Sequence, residues 1–239
     1  MLKRSQRIGM IVPSSNTCLE PMTYRILGTR DDVTVHSARI PVTRIALDSG
    51  SDHQFSAESM RQAAELLATA DVDVIAWNGT SGSWLGAEHD QDITAVIAQA
   101  TGVPATTSTL AYFDAFERFA IQSVGLLTPY TTDVNQRVAA RYGARGIHVV
   151  ADHAIGLSDN ESFARVTPDE LLQPSRELIE YAPDALIYLC TNLYGAPAVQ
   201  PVEAESQVAA LDSVAVTLWH CLTIIDAPLL DRRWGRLLT

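Results

Sequence analysis

Short apolar runs that end in small polar residues alternate along this chain with stretches of helical period. Arg7–Val12 (RIGMIV) reads as a strand that stops at Pro13-Ser14-Ser15-Asn16. Glu58–Ala68 places Met60, Ala64, Leu67 and Ala68 on one face of a helix. Val72–Trp77 (VDVIAW) reads as a second strand, running into Asn78-Gly79-Thr80-Ser81-Gly82. Ile93–Ala100 is a helix stopped by Gly102, and Val103-Pro104-Ala105-Thr106 opens a further short strand. Wholly apolar strands separated by helices predict α/β architecture: parallel sheets with right-handed crossovers.

The second half of the chain repeats this order. Ile8-Gly9-Met10-Ile11-Val12-Pro13 is echoed by Val124-Gly125-Leu126-Leu127-Thr128-Pro129, 116 residues later. Asp73–Thr80 lines up with Asp184–Thr191 at an offset of 111, and Val103–Thr106 with Val214–Thr217 at the same offset. The pattern predicts two homologous α/β lobes, the first made of residues 1–115 and 217–239, the second of 116–216. In open α/β sheets, ligands lie beyond the carboxyl ends of the strands. Two such lobes related by a pseudo-two-fold axis would share one cleft. Pro13–Asn16, Pro129–Tyr130, Gly79–Ser81 and Cys190–Asn192 would line it.

Composition narrows the partners. The chain has 239 residues, 47% of them hydrophobic, with 17 Lys plus Arg against 28 Asp plus Glu and a net charge of -11. That balance argues against nucleic acid or an anionic membrane surface, which need clustered positive charge. The basic stretches at Lys3–Arg7 and Arg232–Arg236 read as solvated ends. Runs such as Ala185–Leu189 fall far short of the ~20 residues of a membrane span, and Met1-Leu2-Lys3-Arg4 carries no secretory pattern. Cys18, Cys190 and Cys221 are odd in number and form no CxxC, which predicts free thiols and a cytoplasmic location.

Cys190 ends an apolar strand and enters the polar turn Thr191-Asn192-Leu193-Tyr194-Gly195. A thiol at such a position can have its pKa lowered by backbone N–H dipoles. Cys221 sits in the apolar stretch Val216–Ile225 and reads as a buried structural thiol; Cys18 reads as core or as support for the site. Gly79-Thr80-Ser81-Gly82-Ser83 offers small side chains, hydroxyls and successive amides, the donors that a carboxylate or oxyanion needs. It lacks the spacing of a dinucleotide loop, an NTP loop or a hydrolase nucleophile elbow. Asn160, in Ser158-Asp159-Asn160-Glu161, reads by itself as a helix N-terminal residue. His36, His53, His89, His148, His153 and His220 form no metal-binding pair, and Glu88-His89-Asp90 reads as a solvated polar cluster. Trp84, close behind the glycine-containing loop, lines a pocket or packs.

Taken together, Ile11-Val12-Pro13-Ser14-Ser15-Asn16-Thr17, the Gly79-Thr80-Ser81 loop, Leu127-Thr128-Pro129-Tyr130 and Leu189-Cys190-Thr191-Asn192 resemble the aspartate/glutamate racemase superfamily. The arylmalonate decarboxylase and maleate cis-trans isomerase branch is the most similar. The resemblance implies two pseudo-symmetric Rossmann-like lobes, each with a parallel sheet of about four strands, and a site in the cleft between them. It implies no cofactor and no metal. It also implies a small carboxylate as substrate and a monomer or homodimer as the working form.

In that superfamily each lobe usually supplies one cysteine; the decarboxylases keep only that of the second lobe. Here Gly79 stands opposite Cys190 in the repeat. By resemblance, Thr80, Ser81 and Tyr130 would hold one carboxylate, with Gly79 and Thr191 beside it, and Cys190 would protonate the enediolate left by loss of CO2. Asn16 and Asn160 match asparagines that bind substrate carboxylates in the isomerases. Asn192 departs from the glycine-rich turn of the decarboxylases. The expected activity is therefore cofactor-independent decarboxylation. The alternatives are a racemase or isomerase in which Cys18 or the Thr80 hydroxyl replaces the missing thiol, and a non-catalytic carboxylate-binding protein.

Overall fold

The computed structural model describes residues 4–45, 47 and 56–239. The readings made above for Met1–Lys3 and His53 lie outside those residues. The first half runs β1 (Gln6–Pro13), α1 (Leu19–Leu27), β2 (Val33–Ile40), α2 (Ala57–Ala68), β3 (Val74–Trp77), α3 (Gly82–Leu85), α4 (Ala87–Thr101), β4 (Ala105–Thr107) and α5 (Ser108–Arg118). The second runs β5 (Ser123–Thr128), α6 (Thr132–Gly143), β6 (His148–Ala154), α7 (Asn160–Phe163), α8 (Pro168–Ile179), β7 (Ala185–Tyr188), α9 (Ala196–Ser206), β8 (Ala209–Asp212) and α10 (Ser213–Ile224).

Both halves build the same sheet. Four parallel strands lie in the order β2-β1-β3-β4 in one and β6-β5-β7-β8 in the other. The central strands are buried along their length because helices cover both faces. The register bears out two of the three sequence matches. Ile8 faces Val74 in the first sheet, and Val124 faces Ala185 in the second. One side chain repeats as well. Asp73 and Asp184 each stand one residue before a third strand and stitch it to the start of the first: Asp73 Oδ2 accepts the Arg7 amide at 2.7 Å, and Asp184 Oδ2 accepts the Gln122 and Ser123 amides at 2.9 and 2.8 Å.

The third match fails. Val214–Thr217 lies inside the buried helix α10, and the true counterpart of β4 is β8: Ile75 faces Ala105 where Leu186 faces Ala210. The first lobe spends an extra turn, α3, before its crossover helix α4, so a constant offset slides off the strand beyond β3. Strands β2 and β6 carry no strand signal in the sequence because each is a sheet edge with alternating exposure, its apolar residues interrupted by polar ones. Helix α5 and helix α10 pack against each other and link the lobes. Tyr112 in α5 donates its hydroxyl to the Tyr188 carbonyl at 2.9 Å, and Thr217 in α10 donates to Ser108 Oγ at 2.8 Å. The basic C-terminal segment is not a free end either, since Arg236 pairs with Glu203 through backbone and guanidinium. Among the described residues no helix is long and apolar enough to cross a membrane.

The Asp184 clasp is testable. Backbone amides and the Ser123 hydroxyl hold its carboxyl below the ordinary carboxylate range. A depressed folded pKa contributes stability above the unfolded value that is lost as pH falls through the folded value. Asp184→Ala should cost about 1 kcal/mol, or roughly 2–4 °C in Tm, at pH 7. Thermal melts between pH 7 and 2.5 should show that gap closing below about pH 4.

Candidate active site

All four strand-end loops named from the sequence meet at one place between the sheets. The loop after β1 supplies Ser15 and Asn16, the loop after β3 supplies Asn78 to Ser81, Tyr130 follows β5, and Cys190 to Asn192 follow β7. Asn160, at the start of α7, joins them.

Two asparagines clasp the loops together. Asn16 Oδ1 accepts the amides of Cys18 and Leu19 at 3.0 and 2.8 Å, and its Nδ2 donates to Thr191 Oγ1 at 3.2 Å. Asn192 reaches back from the other lobe, its Oδ1 accepting from the amides of Thr17 and Cys18 at 3.0 and 3.1 Å. The N-terminal amides of α1, which have no partner within the helix, are therefore satisfied by one side chain from each lobe. Asn192 Nδ2 donates to the Asn160 carbonyl, and Asn160 Nδ2 donates to Ser15 Oγ at 2.8 Å. Thr191 closes the ring by donating to the Asn78 carbonyl at 2.9 Å. All of these groups except Ser15 and Thr17 are buried.

Cys190 sits against this ring, 3% exposed. Its Sγ accepts the Asn192 amide at 3.3 Å, and the Tyr130 hydroxyl beside it favours the thiolate form. Sequence position alone suggested a lowered thiol pKa. Burial instead pushes it up to about 12, against the opposing pull of Tyr130 and the Asn192 amide, so the sulfur carries its proton at neutral pH. Tyr130 also shares a 2.8 Å hydrogen bond with Thr80 Oγ1 and is wedged edge-on between Trp84 and Phe163 at 5.4 and 5.5 Å. Trp84 therefore packs, and what it holds in place is Tyr130. Cys18 is fully buried at the start of α1; burial above all, with the nearby Asp212 carboxyl adding to it, pushes its thiol pKa up and keeps it protonated. Cys221 is buried in α10, as its apolar surroundings in the sequence indicated.

Two buried carboxylates that the sequence did not single out lie behind the two halves of the site. Asp90 belongs to the cluster read as solvated, yet it is fully buried. Its Oδ2 accepts a hydrogen bond from the Thr107 hydroxyl, and a Cβ on Gly82 would come within 2.4 Å of its carboxyl. Asp212 does the same in the second lobe. Its Oδ1 caps α10 through the Val214 and Ala215 amides at 2.9 and 3.0 Å, and a Cβ on Gly195 would lie 2.8 Å from Oδ2. Each Asp thus braces the turn that follows its lobe's third strand, and each needs a glycine there. The sequence carries no common spacing that would mark them, since Asp90 follows Gly82 by 8 residues and Asp212 follows Gly195 by 17. Among the described residues no three His, Cys, Asp or Glu side chains gather as metal ligands would.

The whole chain has known counterparts. The family model described as arylmalonate decarboxylase matches residues 8–238. Maleate isomerase from Alcaligenes faecalis is 26% identical over 232 residues, 92% of this chain and 90% of that protein. Arylmalonate decarboxylase from Bordetella bronchiseptica is 28% identical over 170 residues, 70% of this chain and 71% of that protein. Among solved structures, a mutant Nocardia farcinica maleate cis-trans isomerase with a covalently bound succinylcysteine intermediate superposes with a TM-score of 0.89 at 22% identity, covering 98% of both chains. A liganded double mutant of arylmalonate decarboxylase gives 0.87 at 24%, covering 98% of this chain and 99% of the other. These likenesses carry the two-lobed fold.

Burial pushes Asp90 up to about 7 from an ordinary 3.8. A raised carboxyl pKa means that the folded state favours the neutral acid, so the stability it contributes is full below about pH 4 and is lost as pH rises to about 7. Asp90→Asn, which stays neutral throughout, should therefore gain Tm relative to the parent as pH is raised from 4 to 7.5. A gap that does not move with pH would show that Asp90 is ionised throughout.

Proposed function

The chain belongs to the arylmalonate decarboxylase family, and from that premise we propose that it removes CO2 from a small malonate-type acid, with Cys190 as the proton donor. The observation that carries this reading is the asymmetry of the two equivalent strand ends. One carries a thiol, Cys190, and the other carries Gly79, which can neither add to a double bond nor move a proton.

Thr80, Ser81 and Tyr130 take one carboxylate of the substrate. The bond from the α-carbon to the second carboxylate breaks, CO2 leaves, and the electron pair passes into an enediolate held by those same donors. The Sγ–H of Cys190 then gives its proton to the α-carbon. The thiolate left behind is met by the Tyr130 hydroxyl and the Asn192 amide until solvent returns a proton. A thiol kept protonated by burial suits an acid that must be loaded before each turnover. Asn16 and Asn160 each commit one N–H to the interlobe ring, and the second N–H of each serves a further polar group of the substrate.

Cis-trans isomerisation of a small unsaturated diacid is the second reading. It is favoured by the isomerase relatives, which span more of the chain than the decarboxylase does. That chemistry calls on a thiolate nucleophile. The first-lobe position holds glycine, and Cys18 is sealed in the core at the start of α1.

The test is CO2 release from a panel of substituted malonates beside loss of maleate. On the malonate that reacts, Cys190→Ser should cut kcat at least 10²-fold, and Tyr130→Phe or Thr80→Val about 10²-fold. Full turnover by Cys190→Ser, or turnover of maleate alone, would overturn the decarboxylase reading.

A further inference from the structure

Trp77 ends β3, two residues before Gly79, and is fully buried. A Cβ built on Gly79 would lie 2.3 Å from Cε2 and from Cζ2 of the indole and 2.6 Å from Nε1, closer than real Cβ contacts come. The indole edge thus already occupies the volume in which any side chain at position 79 would begin. The second lobe is arranged otherwise. Tyr188 is the register counterpart of Trp77: the one faces Asp212 at the end of β8, the other Thr107 at the end of β4. Its hydroxyl is turned to Ser175 in α8 at 2.8 Å. The Sγ of Cys190 is therefore free to meet Tyr130 and the Asn192 amide.

From this asymmetry we propose that Trp77 determines the specificity of the reaction by filling the place of a first-lobe acid/base side chain, so that a proton reaches the α-carbon only from the Cys190 face. The inference rests on Cys190 being the proton donor. An enediolate is planar at the α-carbon, and either face accepts a proton. With the indole in place of a second donor, only the Sγ–H bond breaks toward the α-carbon, a single enantiomer forms, and the reverse abstraction that would complete a racemisation has no base. Gly79 supplies no acid or base, and the indole keeps the position closed to one, because a cysteine there would meet the ring.

A double-mutant cycle separates this from the function reading, because its first readout needs no turnover. Gly79→Ala and Gly79→Cys should each lower Tm by roughly 5 °C through overpacking. Combined with Trp77→Leu, either substitution should lose much less than the sum of the single losses. The second readout is exchange of the α-proton of enantiopure 2-phenylpropanoate in D2O. The Trp77→Leu/Gly79→Cys variant should exchange at least tenfold faster than Gly79→Cys alone. Additive losses of Tm, or equal exchange rates in the double and single cysteine variants, would overturn the role assigned to Trp77. Unchanged turnover in Cys190→Ser would instead sink the proton-donor reading and leave the stability cycle standing. Should Trp77→Leu fail to fold, the same cycle is run with Trp77→Phe.

Discussion

Everything at this site hangs on the amides at the start of α1. A helix N-terminus buried between two lobes must have its N–H groups satisfied, because a donor left unpaired there costs about 1–3 kcal/mol. Asn16 from its own lobe and Asn192 from the other share that task, meeting at the Cys18 amide. Neither strand-end loop can take its shape without the other. The position of Cys190 follows, because the Asn192 side chain that clasps α1 belongs to the same turn whose amide touches the sulfur.

That clasp also explains why two nearly identical halves do different things. Each lobe has a turn after its third strand braced by a buried Asp against a glycine, although the two Asp come from different elements, Asp90 from α4 and Asp212 from the end of β8. On this common frame the lobes diverge at two places. Position 190 is a thiol where position 79 is glycine, and Tyr188 turns toward α8 where Trp77 turns toward residue 79. Hydroxyl donors gather on the glycine side and the proton sits on the thiol side. A binding surface opposite an acid is what an enediolate-forming site requires. The net charge of -11 leaves no general positive field to hold an acidic substrate, so local hydroxyls and amides must do so.

Much of this was legible in the chain. Strand ends followed by small polar residues marked the cleft, and the offset of 111 put Gly79 opposite Cys190 with the register that the sheets bear out. The edge strands β2 and β6 were not legible, since half-exposed strands lack a continuous apolar run. The burial of Asp90 is not legible either, because a charged triplet at the start of a helix looks solvated; only the fold reveals that its third member turns inward onto Gly82. Asn192 stood out merely as a departure from the decarboxylase turn, and its partner amides lie 174 and 175 residues away in sequence. The direction of the Cys190 thiol pKa is not legible in the chain, because burial, which only the fold reveals, outweighs the backbone dipoles of a strand end.

The central claim is that one carboxylate binds on the Gly79 side and one proton comes from Cys190. A crystal structure with a non-reacting malonate analogue tests it most directly. The account predicts a carboxylate held by Thr80, Ser81 and Tyr130, with the α-carbon about 3–3.5 Å from Cys190 Sγ. A carboxylate bound elsewhere, or an α-carbon lying nearer Cys18 than Cys190, would contradict it.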